Sequence, residues 1–228
     1  MRGVWDLPVR IVHWTLVLAV VGAYVTDRIG VAAFRYHVWC GYTVLVLVAF
    51  RVIWGVLGTR HARFWNFVCG PVRTWRYVRD LLHGQHRLAV GHNPLGALMV
   101  LFLLAALAAQ AVTGLFGNDE IFNLGPLYGY VSNERSLQLT GLHRRLFYWI
   151  AGAVALHVLA VLLHRWRYGE DLVLPMVTGR KSAALVPAEQ AISGSRIALA
   201  LLLLALLIAL LSWIVLHAPE PAALDSFN

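Results

Sequence analysis

The sequence predicts an all-α membrane protein, a four-helix transmembrane bundle followed by a fifth, C-terminal transmembrane helix. Three observations carry that prediction. Of 228 residues, 60% are hydrophobic and only 13% charged, a composition whose solvent is lipid. Apolar runs of about 18 residues or more, enough to cross roughly 30 Å of hydrocarbon, recur along the chain. They fall near 9–26, 37–57, 94–116, 143–166 and 197–217. The basic residues, which give a net charge of +8, flank these runs and form no face of a soluble module, so the charge reads as topology and not as a nucleic-acid surface.

Each element has local support. Asp6 and Pro8 cap and open the first helix, as Asn93 and Pro94 do the third. Arg2 and Arg10 before an apolar stretch resemble a secretory signal, but Asp6 interrupts the charged region and no clear cleavage site follows, so this helix reads as retained. Residues 73–87 read as a basic amphipathic helix on the membrane surface. Trp5, Trp39, Trp65, Trp75, Trp149 and Trp166 fall near span ends, where indoles favour the interface. The last span, IALALLLLALLIALLSWIVL, has no ionisable residue and reads as an anchor. The first four spans form one domain, residues 1–180, and 181–228 supply a linker and the added helix.

Counting Lys and Arg by side gives thirteen on the side of 1–10, 59–93 and 165–196 and five on the other, with Arg51 inside the second span. By the positive-inside rule the N-terminus is cytoplasmic and the C-terminus periplasmic in a bacterial inner membrane. Cys40 and Cys69 form neither a CxxC nor a CxxCH pattern, which removes a zinc site and covalent haem attachment.

Histidines within or at the ends of spans are expensive, and there are five, His13, His37, His143, His157 and His164. A neutral imidazole enters lipid uncharged and still offers iron a strong nitrogen ligand. His143 and His157 lie 14 residues apart on the fourth helix, which separates them by about 21 Å along its axis and about 40° around it. One face therefore presents two ligands, one per leaflet. His37, at the outer end of the second helix, matches His143 in depth, and His13 in the first helix matches His157. Each pair suits one haem b, giving two non-covalent haems with iron held by His13, His37, His143 and His157. His164 is the rival to His157, although its separation from His143 would be about 31 Å, long for electron transfer between haems. Arg51 either binds a haem propionate or snorkels to the cytoplasmic surface. Gly41, Gly114, Gly141 and Gly152 would admit a flat macrocycle close to the backbone.

At these residues the sequence resembles the bacterial cytochrome b561 family, which includes the b-type subunit of membrane-bound nickel-iron hydrogenases. The resemblance is carried by VWDLPVRIVHW with His13, HVWCGY beginning at His37, FRVIWGVLGTRHARF, GHNPLG at 91–96, and TGLH ending at His143 with His157 following, over about residues 4–180. It implies a four-helix bundle with two bis-histidine haems, one ligand each from helices one and two and two from helix four, and quinone exchange at the membrane. It implies an electron-transfer subunit of a respiratory chain, with no catalytic residue of its own, whose periplasmic partner is a hydrogenase, a c-type cytochrome or another oxidoreductase. Arg60, His61, His92 and Asn93 are the candidates for contact with quinone. Two departures leave the partner open, the short outer loops 27–36 and 117–142 and the fifth helix. One alternative is a stand-alone superoxide:quinone oxidoreductase, with Arg28, Arg35, Arg144 and Arg145 drawing in the anion. Another is a membrane anchor or assembly subunit of a redox complex.

Overall fold

The computed structural model describes residues 1–85 and 88–219. Arg87, counted above on the basic side, and residues 220–228 of the C-terminal segment lie outside the described residues. The elements run β1 (Arg2–Gly3), α1 (Leu7–Ile29), α2 (Phe34–Leu57), α3 (Phe64–Phe67), α4 (Pro71–Leu82), α5 (Pro94–Leu115), α6 (Asn133–Tyr168), α7 (Val173–Thr178), β2 (Arg180–Lys181) and α8 (Ile197–Leu216), with short 3-10 turns between. Among the described residues five helices are long and apolar enough to cross a membrane, and they are the five the sequence predicts. The chain is a multi-pass, all-α membrane protein, its β-structure reduced to the antiparallel pairing of β1 with β2.

Both predicted caps form. Asp6 Oδ1 accepts the N–H of Val9 at 2.8 Å and Asn93 Oδ1 that of Gly96 at 2.7 Å, each satisfying a donor that a helix start leaves open. Two boundaries differ from the sequence reading. α6 begins at Asn133, ten residues before its apolar run, because hydropathy marks the lipid-facing length and not the helix. Its polar first turns are anchored by Ser136, which is fully buried and donates to the Phe116 carbonyl at 2.6 Å, and by Thr140, which accepts the Asn118 N–H at 2.9 Å. The surface helix α4 stops at Leu82, since Gly84 adopts φ 74°, a left-handed position that ends a helix.

The chain forms two compact units, and each long helix contributes one end to each. One comprises Met1–Trp14, Arg51–Leu104 and Ala151–Leu201. Its core is built on Val4, Trp5, Val9, Trp54 and Val186, all buried, with the carboxylate of Asp6 among them. Asp6 Oδ2 accepts from the Trp54 indole at 3.1 Å and from the Thr59 hydroxyl, while Oδ1 caps α1. Trp5 is therefore a core residue, 8% exposed, whereas Trp39, Trp65, Trp75, Trp149 and Trp166 all lie exposed as the interfacial reading requires. β1 is pinned at a bend where Gly179, at φ 79°, receives Val4 N–H on its carbonyl at 2.8 Å. A Cβ there would stand 2.8 Å from the Trp5 carbonyl oxygen.

The second unit comprises Thr15–Phe50, Ala105–Ile150 and the chain from Leu202 on. Its buried residues are mostly apolar, among them Val44, Leu47, Val48, Phe50, Ala106, Leu115 and Ile150, with Thr113 and Ser136 as polar exceptions. The loop after α5 closes on Asp119. Burial works against its charge, but the N–H groups of Asn123, Ile121 and Phe122 and the Asn123 amide outweigh it and hold the carboxyl at about 2.

Because Asp6 satisfies a helix start and two buried donors at once, Asp6→Ala is expected to destabilise the protein by about 2–4 kcal/mol. Asp6→Asn, which keeps an acceptor for the cap, should cost less. Thermal unfolding in detergent checks this, and an unchanged Tm for Asp6→Ala would contradict it.

Candidate functional site

The structure brings four of the five intramembrane histidines together in the pairs expected. His37 on α2 and His143 on α6, both in the second unit, have ring centres 6.2 Å apart with planes at 74°. His13 on α1 and His157 on α6, both in the first unit, are 6.4 Å apart at 60°. Two imidazoles bound through Nε2 to opposite sides of one metal, with metal–nitrogen bonds of about 2.0–2.1 Å and each ring centre roughly 1.1 Å behind its nitrogen, have centres about 6.3 Å apart. Both pairs have that spacing. Among the described residues no group of three or more His, Cys, Asp or Glu side chains could hold a metal.

The pair of the second unit is set by backbone carbonyls. His37 Nδ1 lies 2.9 Å from the Ala23 carbonyl oxygen and His143 Nδ1 2.8 Å from that of Gln110. A carbonyl can only accept, so both Nδ1 atoms carry the proton and both Nε2 atoms carry the lone pair a metal needs. On His143 that lone pair receives the Gln110 side-chain amide at 3.1 Å. The Thr113 hydroxyl stands 3.4 Å from Nδ1, and a Cβ at Gly114 would be 2.9 Å from Cε1. Residues 110, 113 and 114 share one face of α5, which supplies no histidine yet forms the seat of His143. Cβ atoms at Gly41, Gly141 and Gly152 would meet open space, so of the four glycines singled out in the sequence Gly114 is the one the imidazole itself demands. His13 differs, for its Nδ1 is buried with no hydrogen-bond partner among the described residues and its ring stands edge-on to Trp14 at 5.0 Å.

His164 faces elsewhere. Its Nδ1 is 3.1 Å from Glu170 Oε2, and Glu170 Oε1 is 3.4 Å from Lys181 Nζ, an ion cluster at the end of α6. Arg51 is buried, 6% exposed, donates to the Ala62 carbonyl at 3.1 Å and lies over the Phe64 ring at 5.2 Å. Arg28 and Arg35 lie over the rings of Tyr24 and Tyr36, and Arg144 and Arg145 are exposed on α6.

A cavity of about 790 Å³ in the first unit is lined by all four residues considered for quinone, Arg60, His61, His92 and Asn93. Its inner wall is polar. His61 Nε2 meets the Gln190 carbonyl at 2.8 Å, while His92 packs edge-on to Trp5 at 4.8 Å and against Phe67 at 4.5 Å. His92 Nδ1 and the hydroxyl of Tyr77, another lining residue, are buried without a partner among the described residues. Burial and then the charges of Arg51, His61, Lys181 and His157 push His92 down to about 3. Burial lowers His61 too, opposed by the Gln190 carbonyl and assisted by Arg60 and Lys181. Both are neutral at physiological pH. Tyr77, Gln190, Gln110 and Thr113 escaped the sequence reading. Gln110 and Thr113, the polar side chains of an otherwise apolar span, could have been found by asking which amide a membrane helix tolerates.

The profile of prokaryotic cytochrome b561 matches residues 4–179, which takes in both histidine pairs and every lining residue of the cavity named above except Gln190. The chain belongs to the prokaryotic cytochrome b561 family. It is similar to a probable Ni/Fe-hydrogenase B-type cytochrome subunit of Rhodobacter capsulatus, 24% identical over 78% of this chain and 80% of that protein. Proteins of the same description from Azotobacter vinelandii and Rhizobium leguminosarum bv. viciae are 28% and 30% identical, each over 49% of this chain and 57% of their own length. No solved structure matches the chain. As a cytochrome b561 the protein is a membrane b-type cytochrome, binding haem b and acting in electron transfer.

The seat on α5 makes a specific demand. Gly114→Ala should displace the His143 ring and lower the haem bound per chain, read from the b-type absorption bands against protein concentration. Full haem content with an unshifted low-spin spectrum would refute it.

Proposed function

We propose that this cytochrome b561 is a dihaem electron-transfer subunit linking a periplasmic redox protein to the quinone pool across the bacterial inner membrane. The N-terminus is cytoplasmic and the C-terminus periplasmic. Residues 1–180 form the haem-bearing domain and 181–228 the linker and added helix. His37 and His143 hold the outer haem and His13 and His157 the inner one, with Arg51 available to a propionate of the inner haem. The observation that carries the reading is the metal-spanning separation of both imidazole pairs, 6.2 and 6.4 Å, with one ring of each on the single continuous helix α6.

When bound, haem supplies reversible one-electron chemistry at iron. The chain's own contribution is to present Nε2 by tying up Nδ1 where Ala23 and Gln110 do so, and to exclude water with apolar helices. At the other end, Arg60, His61, His92 and Asn93 surround a cavity large enough for a quinone headgroup, with neutral histidines suited to hydrogen bonding. Asn93 already caps α5 through its Oδ1, so its amide nitrogen is the group with a role to play there. The printed names of the relatives favour a hydrogenase as the periplasmic partner over a c-type cytochrome.

Purified protein from a haem-replete host should carry about two haems per chain, and His157→Ala one fewer, while His164→Ala keeps both. A haem-free protein, or His157→Ala with both haems, would overturn the assignment. Substituting Arg60, His61, His92 and Asn93 together should slow quinol-driven haem reduction with the haem spectrum intact. Unaltered kinetics would move the quinone site elsewhere. A hydrogenase recovered with the chain from membranes supports that partner, and a c-type cytochrome in its place supports the rival.

A further inference from the structure

The cavity has a second wall that electron transfer does not use. α4 contributes Arg73, Arg76, Tyr77, Arg79 and Asp80 to its lining, and Arg60 joins them from the preceding turn. Among the described residues the only lining acid is Asp80, which Arg79 already meets at 3.1 Å. Arg73 and Arg76 are exposed and have no ion pair or side-chain hydrogen bond among the described residues. Four guanidinium groups and one carboxylate thus line a cavity that also holds two buried unpartnered polar atoms, Tyr77 Oη and His92 Nδ1. Such an excess is complementary to a compact anion, and arginine's fork matches the oxygens of a phosphate.

The same helix says where the anion comes from. At 100° per residue, Arg73, Arg76, Tyr77 and Asp80 occupy one arc of α4, and Val72, Trp75 and Leu82 the adjacent one, which Arg79 shares. Those three apolar side chains are 63%, 69% and 80% exposed, an apolar stripe that only lipid would cover on a membrane-embedded chain. An arginine rim at headgroup depth beside a stripe at acyl-chain depth matches the two halves of a phospholipid.

We propose that Arg73 and Arg76 bind the phosphodiester headgroup of an anionic phospholipid whose acyl chains lie along Val72, Trp75 and Leu82. The site lies on the rim, and the proposal does not depend on what occupies the inner wall.

The test uses the full chain reconstituted into bilayers in which either phosphatidylglycerol or phosphatidylcholine, at equal mole fraction, carries brominated chains. Trp75 fluorescence is isolated as the difference between the wild type and Trp75→Phe. Brominated phosphatidylglycerol should quench Trp75 about twofold more than brominated phosphatidylcholine, and the preference should vanish in the Arg73→Gln/Arg76→Gln variant. Quenching by phosphatidylcholine should persist in that variant, which shows that α4 still lies in the interface. Equal quenching by both lipids in the wild type, a preference that survives the double substitution, or a Trp75 that neither lipid reaches would each overturn the proposal. Loss of the preference on adding inorganic phosphate at constant ionic strength would assign the rim to a soluble phosphate and overturn it as well.

Discussion

An imidazole placed among apolar helices has two nitrogens to satisfy, and it can give one to a metal only if the other finds an acceptor. Water is not at hand, and the acceptors available inside a membrane helix are carbonyl oxygens with a lone pair to spare. Ala23 and Gln110 provide them for His37 and His143. The second case ties the ligand helix α6 to α5, so that a helix without a ligand is nonetheless part of the site. Its small face at Gly114 is the steric half of that requirement and the Gln110 carbonyl the polar half. The Gln110 amide, on Nε2 of the same ring, satisfies the atom that a metal would take, and is the group that must yield to it.

The other end of the chain depends on a different buried polar atom set. Asp6 holds the Thr59 hydroxyl, and Thr59 accepts the N–H groups of Ala62 at 3.0 Å and Arg63 at 3.2 Å, closing the turn that carries Arg60 and His61 to the cavity. The same turn offers the Ala62 carbonyl to Arg51. Beside Asp6, the buried ring of Trp5 packs on His92. One carboxylate at a helix start thus orders both cavity histidines and the arginine within the second span, which explains why so polar a cluster is stable at the end of so apolar a chain.

Spans were legible in the sequence because hydropathy reports directly what a membrane requires, and the histidine pairs because depth along a helix is simple arithmetic. The start of α6 was not, since residues 133–142 are helical for reasons of packing on the loop after α5 and carry no apolar signal. Trp5 was read as interfacial from its place near a span end, whereas its neighbour Asp6 draws it into the core. Gln110 and Tyr77 were invisible for a related reason. A search for ligands looks at the atoms that bind, and these residues act on the ligand ring or on the cavity through contacts that only the fold creates. The cavity candidates 60, 61, 92 and 93 were chosen by chemistry alone, and the fold brings the two pairs together from opposite ends of a 30-residue excursion.

The basic excess that oriented the chain on paper has a second physical role. Arg2 donates to the Ala183 and Val186 carbonyls, Arg10 to Val177, Arg60 to Glu189, Arg63 to Gly58 and Arg196 to Leu57. These acceptors lie in segments that leave carbonyls without a helical partner, next to a bilayer where each open acceptor is costly. Guanidinium groups, always charged and able to serve several oxygens, meet that need. Topology and loop closure therefore draw on the same residues. Against that background Arg73 and Arg76 stand apart, for they sit on a regular helix whose carbonyls need no help, and they close no loop of the described chain. Both are exposed lining residues of the cavity without a side-chain partner among the described residues, which is the physical ground for giving them a ligand instead of a structural role.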